Sequence, residues 1–207
     1  VEDLPINVKS KKKGWHDNHV RDQFQRNALA RGYKNFDEKD LIMISDIDEI
    51  PDPEKIKLFD IKNKYACFLQ KNFQSKINLL NISDENWVGT KICRKKNLIS
   101  PQWLRSLKIK KRSFWNIFRD KQPQIILNGG WHFSFLKDAE SIRSKIISYS
   151  HQEYNTEELT SIDNIKKQIL NGEDLFKRDI KYKIVDLDNT FPNYIFKNKE
   201  KFKNWLI

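Results

Sequence analysis

Three acidic side chains follow a short apolar run in the stretch LIMISDIDEIPDPEKI, which begins at Leu41. Asp46, Asp48 and Glu49 carry carboxylates, and carboxylate oxygens are hard ligands that suit Mg²⁺ and Mn²⁺. If the segment is extended, residues two apart face the same side, which would bring Asp46 and Asp48 together. Ligands of open α/β sheets bind beyond the carboxyl ends of strands. The spacing therefore predicts a metal and diphosphate site, with a solvated strand end as the alternative.

The same spacing recurs at Asp186 and Asp188, in the stretch KIVDLDNTF. This stretch resembles the first motif of the haloacid dehalogenase phosphatases, in which an aspartate is the nucleophile. That motif opens its domain and needs further motifs downstream, whereas little of the given sequence follows Thr190. A turn at the end of a strand is the favoured interpretation here. Two aspartates at this spacing are therefore weak evidence by themselves.

The elements that must position these acids alternate between helices and strands, which predicts an α/β fold in a single domain over residues 1–207. The run LIMIS is typical of a strand covered on both faces, as in a parallel or mixed sheet. Before it, a helix is expected between a cap at Asp17 and Gly32. After it, a helix is expected from Pro53 to about Phe59, followed by the strands YACFLQ, FQSKINLL and WVGTKICR. A helix PQWLRSLKIKK and a strand–turn–strand segment PQIILNGGWHFSFL come next. The last expected elements are a helix capped by Asp138, a helix closed by Gly172, and a mixed tail.

The chain is basic, because 39 Lys and Arg against 28 Asp and Glu give a formal net charge of +11. This charge favours an anionic partner, although a biased genome composition explains it equally well. The basic residues are scattered and match no recognised motif, so nucleic-acid binding is not expected. The run KIKKR at residues 108–112 is a candidate for peripheral membrane contact or donor binding, with a solvated helix end favoured.

Two further features of the sequence concern its environment. No apolar run approaches the roughly 20 residues that cross a bilayer. Cys67 and Cys93 are the two cysteines, and their lack of motif spacing mildly favours a reducing compartment.

Four segments, in this order, together resemble glycosyltransferase family 17: QRNALARG, SDIDEIP, GGWHFSFL and SHQEY. The resemblance extends from about Asp3 to FPNYIFKNKEKFKNWL. It implies a GT-A-like fold, which is a mixed nucleotide-sugar-binding sheet flanked by helices. It also implies an inverting enzyme that transfers N-acetylglucosamine from a UDP-sugar donor to a mannose-containing glycan or glycoprotein acceptor, with Mn²⁺ or Mg²⁺ as cofactor.

The resemblance implies roles for individual residues as well. Asp46 and Asp48 would bind the metal, Asp46 would also contact the donor, and His151 would complete the metal or diphosphate site. In GT-A folds the helix before this strand carries an Arg-Asn pair near the donor, and Arg26 and Asn27 match that pair. The donor and acceptor cleft would be lined by Gly129, Gly130, Trp131 and His132.

Inverting transfer needs a stabilised leaving diphosphate and a base that removes the proton of the acceptor hydroxyl. Arg26 and Arg21 are candidates for positive charge near the diphosphate. Glu140 is the first candidate for the base, and Glu49 and Asp138 are its rivals. Asp138 is better explained as a helix N-cap, and Glu140 has an alternative explanation as an acid favoured in a first helical turn.

Several alternatives stay open from the sequence. Trp131 is equally suited to stacking on a sugar and to packing in the core, and His132 to a phosphate contact and to a buried hydrogen bond. A metal-dependent phosphohydrolase and a non-catalytic glycan- or nucleotide-binding remnant are the rival functions. Family members usually have a stretch before the equivalent of VEDLP, so the first strand of the sheet is expected to be missing. The expected location is the Golgi lumen for a eukaryotic protein, and the cytoplasm or membrane periphery for a bacterial or viral one.

Overall fold

The computed structural model describes residue 3 and residues 17–109, 123–148 and 152–207. The strands in these ranges are β1 (Leu41–Ile44), β2 (Glu49–Pro51), β3 (Tyr65–Gln74), β4 (Leu79–Asn81), β5 (Asn86–Arg94), β6 (Gln124–Ile126), β7 (Gly130–Ser134) and β8 (Tyr182–Ile184). The α-helices are α1 (Asp17–Ala28), α2 (Pro53–Ile56), α3 (Pro101–Ser106), α4 (Ala139–Ser148), α5 (Glu157–Thr160), α6 (Ile162–Asn171) and α7 (Asn193–Lys197). Short 3₁₀ helices cover Leu29–Tyr33, Lys95–Asn97, Gln152–Tyr154 and Lys199–Trp205.

The strands form one mixed sheet with β3 at its centre. Along one edge of β3, β5 and β4 pair with it in antiparallel orientation, and along the other edge β6 and β7 pair with it in parallel orientation. Three outer strands extend the sheet in antiparallel orientation, β1 beyond β5, β2 beyond β7 and β8 beyond β4. This arrangement confirms the prediction of a GT-A-like mixed α/β sheet flanked by helices.

The central strand is longer than the sequence predicts. YACFLQ and FQSKINLL are expected to be separate strands, whereas β3 runs through YACFLQ into the first two residues of FQSKINLL, and β4 begins at the last two. Lys71 and Asn72 interrupt the apolar pattern, yet they stay in the ladder opposite Trp131 and His132 of β7. The polar side chain of Asn72 is tolerated in a covered strand because it is hydrogen-bonded on both sides.

Residue alternation along β3 and β7 separates two faces of the sheet. On one face, Phe73 and Trp131 belong to a hydrophobic core that packs under α7 and the C-terminal 3₁₀ helix. On the opposite face, Nδ1 of His132 lies 2.9 Å from Oδ1 of Asn72, and the His132 ring stacks on Trp87 of β5. We call this second face the polar face, and the candidate site lies on it.

The helix boundaries follow local signals in the sequence. Asp138 caps α4 as predicted, because its Oδ1 accepts a hydrogen bond of 2.7 Å from the backbone N–H of Ser141. Gly172 ends α6 as predicted, with the positive φ of 65° that glycine adopts most easily. Helices α2 and α3 are both shorter than predicted. Beyond α3 the chain becomes extended at Leu107, and residues 110–112 of the run KIKKR lie outside the described residues.

Other expectations are also settled by the described residues. The second acid pair lies at a turn, where Asp188 Oδ1 accepts hydrogen bonds from the backbone N–H and the hydroxyl of Thr190, as the favoured interpretation predicts. Cys67 and Cys93 are buried and form no disulfide. In the described part of the chain, no helix combines the length and the apolarity that crossing a membrane requires.

Candidate active site

The acids that follow β1 form a tight turn, and we call residues 46–49 the acid turn. The backbone N–H of Glu49 donates to the carbonyl oxygen of Asp46 at 3.0 Å, and the backbone N–H of Asp46 donates to Oε2 of Glu49 at 3.1 Å. The expectation of an extended segment with Asp46 and Asp48 on one side is therefore wrong. The two carboxylates contact different partners.

Asp46 is held by two arginines from two helices. Arg105 of α3 donates to Asp46 Oδ2 from Nη2 at 2.7 Å and from Nε at 3.2 Å, and Arg26 of α1 donates to Oδ1 at 3.4 Å. Partial burial raises the pKa of Asp46, but the hydrogen bonds and charges of Arg105 and Arg26 outweigh it and leave the pKa below its ordinary value. Asp46 is therefore ionised and paired at neutral pH.

Glu49 lies beneath the acid turn with a side chain that is only 1% exposed. Its Oε1 accepts hydrogen bonds from Trp87 Nε1 at 2.8 Å and from Arg105 Nη2 at 2.6 Å. Burial raises the pKa of Glu49 above its ordinary value, despite the neighbouring positive charge of Arg105. With both oxygens engaged, Glu49 is placed to orient Arg105 and the acid turn, which favours a positioning role over the predicted role of base.

Asp48 faces a different set of groups and keeps 26% of its side chain exposed. Its Oδ1 lies 3.7 Å from Nε2 of His132, and its Oδ2 lies 3.8 Å from Nζ of Lys145 in α4. Burial lowers the pKa of His132 to about 4, so the imidazole is neutral at pH 7. The contact between Asp48 and His132 is therefore not an ion pair.

The predicted pair Arg26 and Asn27 is divided between two tasks. Arg26 reaches the acid turn, and its Nη1 also donates to Oε1 of Gln102 at 2.7 Å. Asn27 Oδ1 accepts a hydrogen bond of 3.0 Å from the backbone N–H of Gln102, near the start of α3. Asn27 thus connects α1 to α3 by a hydrogen bond. Its contact with a donor stays a prediction.

The predicted glycine–tryptophan–histidine segment is divided between the two faces of the sheet. Gly130 has φ of +136°, and a Cβ there would lie 2.1 Å from the carbonyl oxygen of Ile50, so only glycine fits. Trp131 points away from the acid turn, donates from Nε1 to the Thr190 carbonyl oxygen at 2.9 Å, and lines a cavity of about 840 Å³. Only His132 of this segment faces the acid turn, because neighbouring residues of a strand face opposite sides.

The remaining predicted residues lie outside the acid turn. Glu140 is largely exposed near the start of α4, and its Oε1 lies 3.6 Å from Nζ of Lys166. Asp138 serves as the N-cap of that helix. Among the described residues, neither acid forms a hydrogen bond or an ion pair with Asp48, and His151 lies outside the described residues.

Three residues of the site are not predicted from the sequence: Trp87, Arg105 and Lys145. Arg105 is 13% exposed and joins Asp46 to Glu49 although it stands far from both in the sequence. The signal that could have identified it is a charged residue in the short helix PQWLRS, in which Trp103 and Leu104 pack on β1 and β5. Such a residue indicates a buried partner but does not say which one.

The residues of the acid turn fit a divalent ion only in part. The described ranges contain no group of three or more His, Cys, Asp or Glu side chains placed to hold a metal ion. Asp46 is already saturated by arginines, whereas Asp48 offers an oxygen and His132 a nitrogen. A Mg²⁺-type site commonly has one or two protein ligands and takes the others from substrate phosphates and water. The donor set thus fits an ion that a diphosphate completes.

The comparison with known protein families gives one result for this chain. The sequence profile of Glycosyltransferase family 17 matches residues 5–206. Comparisons with curated proteins and with solved structures give no match. The profile match covers nearly the whole of the 207 residues, including every part of the site described above.

Proposed function

The chain belongs to glycosyltransferase family 17 and is a glycosyltransferase, and from this premise we propose a specific reaction for it. It transfers N-acetylglucosamine from UDP-N-acetylglucosamine to a mannose-containing glycan acceptor, with inversion at the anomeric carbon and with Mn²⁺ or Mg²⁺ on the donor diphosphate. The observation that carries the proposal is Asp48, a partly buried carboxylate beyond the end of β1 that lies 3.8 Å from the ammonium group of Lys145 and 3.7 Å from the imidazole of His132.

The leaving diphosphate needs positive charge, and this chain supplies it from three helices. Arg26 of α1, Arg105 of α3 and Lys145 of α4 converge on the acid turn. Arg105 is engaged by Asp46 and Glu49, so Lys145 and Arg26 are the groups best able to contact diphosphate oxygens. A divalent ion, when bound, would neutralise the same charge as it develops on the leaving group.

The acceptor hydroxyl attacks the anomeric carbon from the side opposite the diphosphate, the bond from that carbon to the diphosphate oxygen breaks, and the hydroxyl proton passes to a base. Of the predicted bases, Glu49 is buried with both oxygens engaged, whereas Glu140 is exposed and accessible to an acceptor. We therefore retain Glu140 as the proposed base. Glu140→Gln with near-normal transfer would remove it from this role.

The proposed reaction can be tested with purified protein and a panel of nucleotide sugars. Thermal stability and UDP release are measured with and without Mn²⁺, and with and without an oligomannose acceptor. We expect UDP-N-acetylglucosamine to stabilise the chain only when Mn²⁺ is present, and UDP release to require the acceptor. Asp48→Asn should abolish both effects. Asp186→Asn is the matched control, because Asp186 has the same spacing to its neighbouring aspartate but is exposed in another part of the fold.

The outcomes separate the alternatives. No response to any UDP-sugar refutes the proposed donor, and equal UDP release with and without acceptor indicates a phosphohydrolase instead. An unaltered response in Asp48→Asn, or an equal loss in Asp186→Asn, would show that the acid turn is not the donor site.

A further inference from the structure

A cavity of about 500 Å³ is lined by residues of α4, α6 and the 3₁₀ helix Lys199–Trp205. This volume is within the range of about 300–1,000 Å³ that small-molecule sites commonly have. Apolar side chains of the cavity include Leu170, which is 75% exposed, and Trp205, which is 36% exposed. We call this cavity the tryptophan cavity. None of the described residues that line it belongs to the acid turn.

The backbone of Trp205 is fixed to the segment that follows β3. Its carbonyl oxygen accepts a hydrogen bond of 2.9 Å from the backbone N–H of Ile77. Its neighbours Phe202 and Leu206 pack against the hydrophobic core under α7. The indole ring is therefore held in place although part of its surface is exposed. An aromatic surface that is already fixed loses little conformational entropy when a ligand packs on it.

The tryptophan cavity also contains a buried hydroxyl group without a partner. Ser75 lines the cavity and is only 3% exposed, and its Oγ forms no hydrogen bond among the described residues. Its backbone has a left-handed φ of 64°, which a residue with a Cβ rarely adopts. Backbone strain and an unpaired buried polar group together are typical of ligand sites. A hydroxyl group of a ligand in the cavity would supply the missing partner.

The charges around the cavity favour a neutral ligand over an anionic one. Among the described residues that line it, three are basic and two are acidic: Lys76, Lys137, Lys166, Asp138 and Glu140. Lys166 is also balanced locally, because its Nζ lies 3.6 Å from Oε1 of Glu140. A phosphate group or an anionic lipid surface requires a cluster of unopposed cations instead. Sugar hydroxyl groups both donate and accept hydrogen bonds, which suits carboxylates and ammonium groups side by side.

A groove along α4 leads from the tryptophan cavity toward the acid turn. This groove has a volume of about 430 Å³, shares Lys137 and Glu140 with the tryptophan cavity, and extends to Lys145. Nζ of Lys145 lies 3.8 Å from Oδ2 of Asp48. Glu140 and Lys145 are five residues apart, which corresponds to about 7.5 Å along the helix. Glu140, the proposed base, therefore stands where the groove meets the tryptophan cavity.

We propose that the tryptophan cavity binds a pyranose ring of the acceptor glycan. The apolar C–H face of the ring packs on Trp205 and Leu170, and its hydroxyl groups form hydrogen bonds with Ser75 Oγ and Glu140. Trp131, which is 9% exposed, has less free surface for such stacking. The inference rests on the proposed function, because it takes the acceptor to be a glycan. It adds the surface that selects this acceptor.

The test is isothermal titration calorimetry of the full chain with an oligomannose, with and without UDP and Mn²⁺. We expect Trp205→Ala to weaken oligomannose binding at least about tenfold, and Trp205→Phe, which keeps an aromatic ring, to weaken it by no more than about threefold. Tyr194→Ala is the matched control, because Tyr194 is 61% exposed but does not line the cavity. It should bind oligomannose like the unaltered protein. Circular dichroism shows whether each variant is folded.

Ser75→Ala gives an independent test, in which stability and binding change in different directions. It keeps the Cβ at the strained position and removes only the unpaired hydroxyl group. The free protein should therefore be at least as stable as the unaltered one in thermal unfolding. Oligomannose should bind the variant about threefold to tenfold more weakly, because a hydroxyl group of the ligand loses its partner.

Several results would overturn the proposal. They are the absence of oligomannose binding under both conditions, unchanged binding by folded Trp205→Ala or by Ser75→Ala, and an equal loss of binding in Tyr194→Ala. Vesicles of phosphatidylcholine and phosphatidylserine test the alternative that the cavity contacts a membrane. Vesicle binding that is lost in Trp205→Ala, in a chain that binds no oligomannose, would support this alternative and overturn the proposal.

Steady-state kinetics separate this inference from the proposed function. Trp205→Ala should raise the KM for the acceptor and change the KM for UDP-N-acetylglucosamine little. Oligomannose binding that depends on Trp205, in a protein that transfers nothing from UDP-N-acetylglucosamine, would refute the proposed reaction and leave the saccharide site standing. Transfer by Trp205→Ala with an unchanged acceptor KM would support the reaction and overturn the saccharide site.

Discussion

Lys145 competes with any cation that binds Asp48, so its removal should strengthen metal binding. Its Nζ lies 3.8 Å from Asp48 Oδ2, a distance at which unit charges attract by about 1 kcal/mol in water and about 4 kcal/mol at an effective dielectric constant of 20. The Lys145 and Asp48 side chains are 32% and 26% exposed, so the lower figure applies. We expect Lys145→Gln to bind Mn²⁺ about fivefold more tightly, which corresponds to about 1 kcal/mol.

The assay is Mn²⁺ titration of the protein without donor, at low and at high salt. The gain should shrink at high salt, because both groups are partly exposed and their interaction is screened. Lys145→Arg keeps the charge and should bind Mn²⁺ like the unaltered protein. Lys166→Gln removes the same charge from a lysine that lies near Glu140 instead, and it should change Mn²⁺ affinity little.

The reasoning is refuted if Lys145→Gln binds Mn²⁺ no more tightly than the unaltered protein while its melting temperature is unchanged. It is also refuted if Lys166→Gln gives the same gain, because the effect would then reflect net charge rather than the contact with Asp48. The melting temperature has to be checked, because Lys145 Nζ also lies 4.3 Å from the centre of the Phe135 ring.

Two further predictions concern folding. Gly130→Ala should lower the free energy of unfolding by at least about 2 kcal/mol, because it forces a Cβ onto the β2 backbone at a positive φ. Gly32→Ala, where a Cβ meets nothing within 4 Å, is the matched control and should be nearly neutral. Asp46 has a folded-state pKa below its ordinary value of 3.8, so it stabilises the fold above that pH and loses this contribution as the pH falls through the folded-state pKa. The stability advantage of the unaltered protein over Asp46→Asn, measured by urea unfolding, should therefore be nearly constant at neutral pH and shrink as the pH falls below 3.8.

These two predictions have clear contrary outcomes. Equal unfolding free energies for Gly130→Ala and Gly32→Ala would show that the close approach of β7 to β2 is not maintained in solution. A constant or growing advantage over Asp46→Asn at low pH would mean that the arginines do not hold the carboxylate of Asp46 in its ionised form.

The elements that could be predicted are those specified by neighbouring residues. Gly172 ends α6, and Asp138 caps α4, because these signals act within one helical turn. The sequence signals for strand β5 and for the glycine turn between β6 and β7 also lie within those segments themselves. The polar interior of β3 could not be predicted, because the partners of Asn72 there are the backbone of Asp84 and the ring of His132, which stands 60 residues further along the chain.

The sequence indicates several residues that meet at the acid turn but not the geometry in which they meet. The acids stand out by their types and spacing and Arg26 by the family resemblance, whereas Arg105 and Lys145 meet them only after α3 and α4 have packed on the sheet. The opposite orientation of Trp131 and His132 in the structure is the one that strand alternation requires, whereas the resemblance implies that both line one cleft. Residues implied by a family resemblance therefore describe a site only when it is also known which face of its strand each side chain occupies.

The acid turn gives its two aspartates different tasks. Between them the chain turns at Ile47, whose side chain is fully exposed, instead of continuing the line of β1. Asp46 turns toward α1 and α3, where its charge is balanced by Arg26 and Arg105, and a cation could bind it only by displacing a guanidinium group. Asp48 turns toward β7 and α4, where one oxygen faces the ammonium group of Lys145 and the other faces Nε2 of His132. The first aspartate thus fixes the turn, and the second is the one left with an oxygen to offer a ligand.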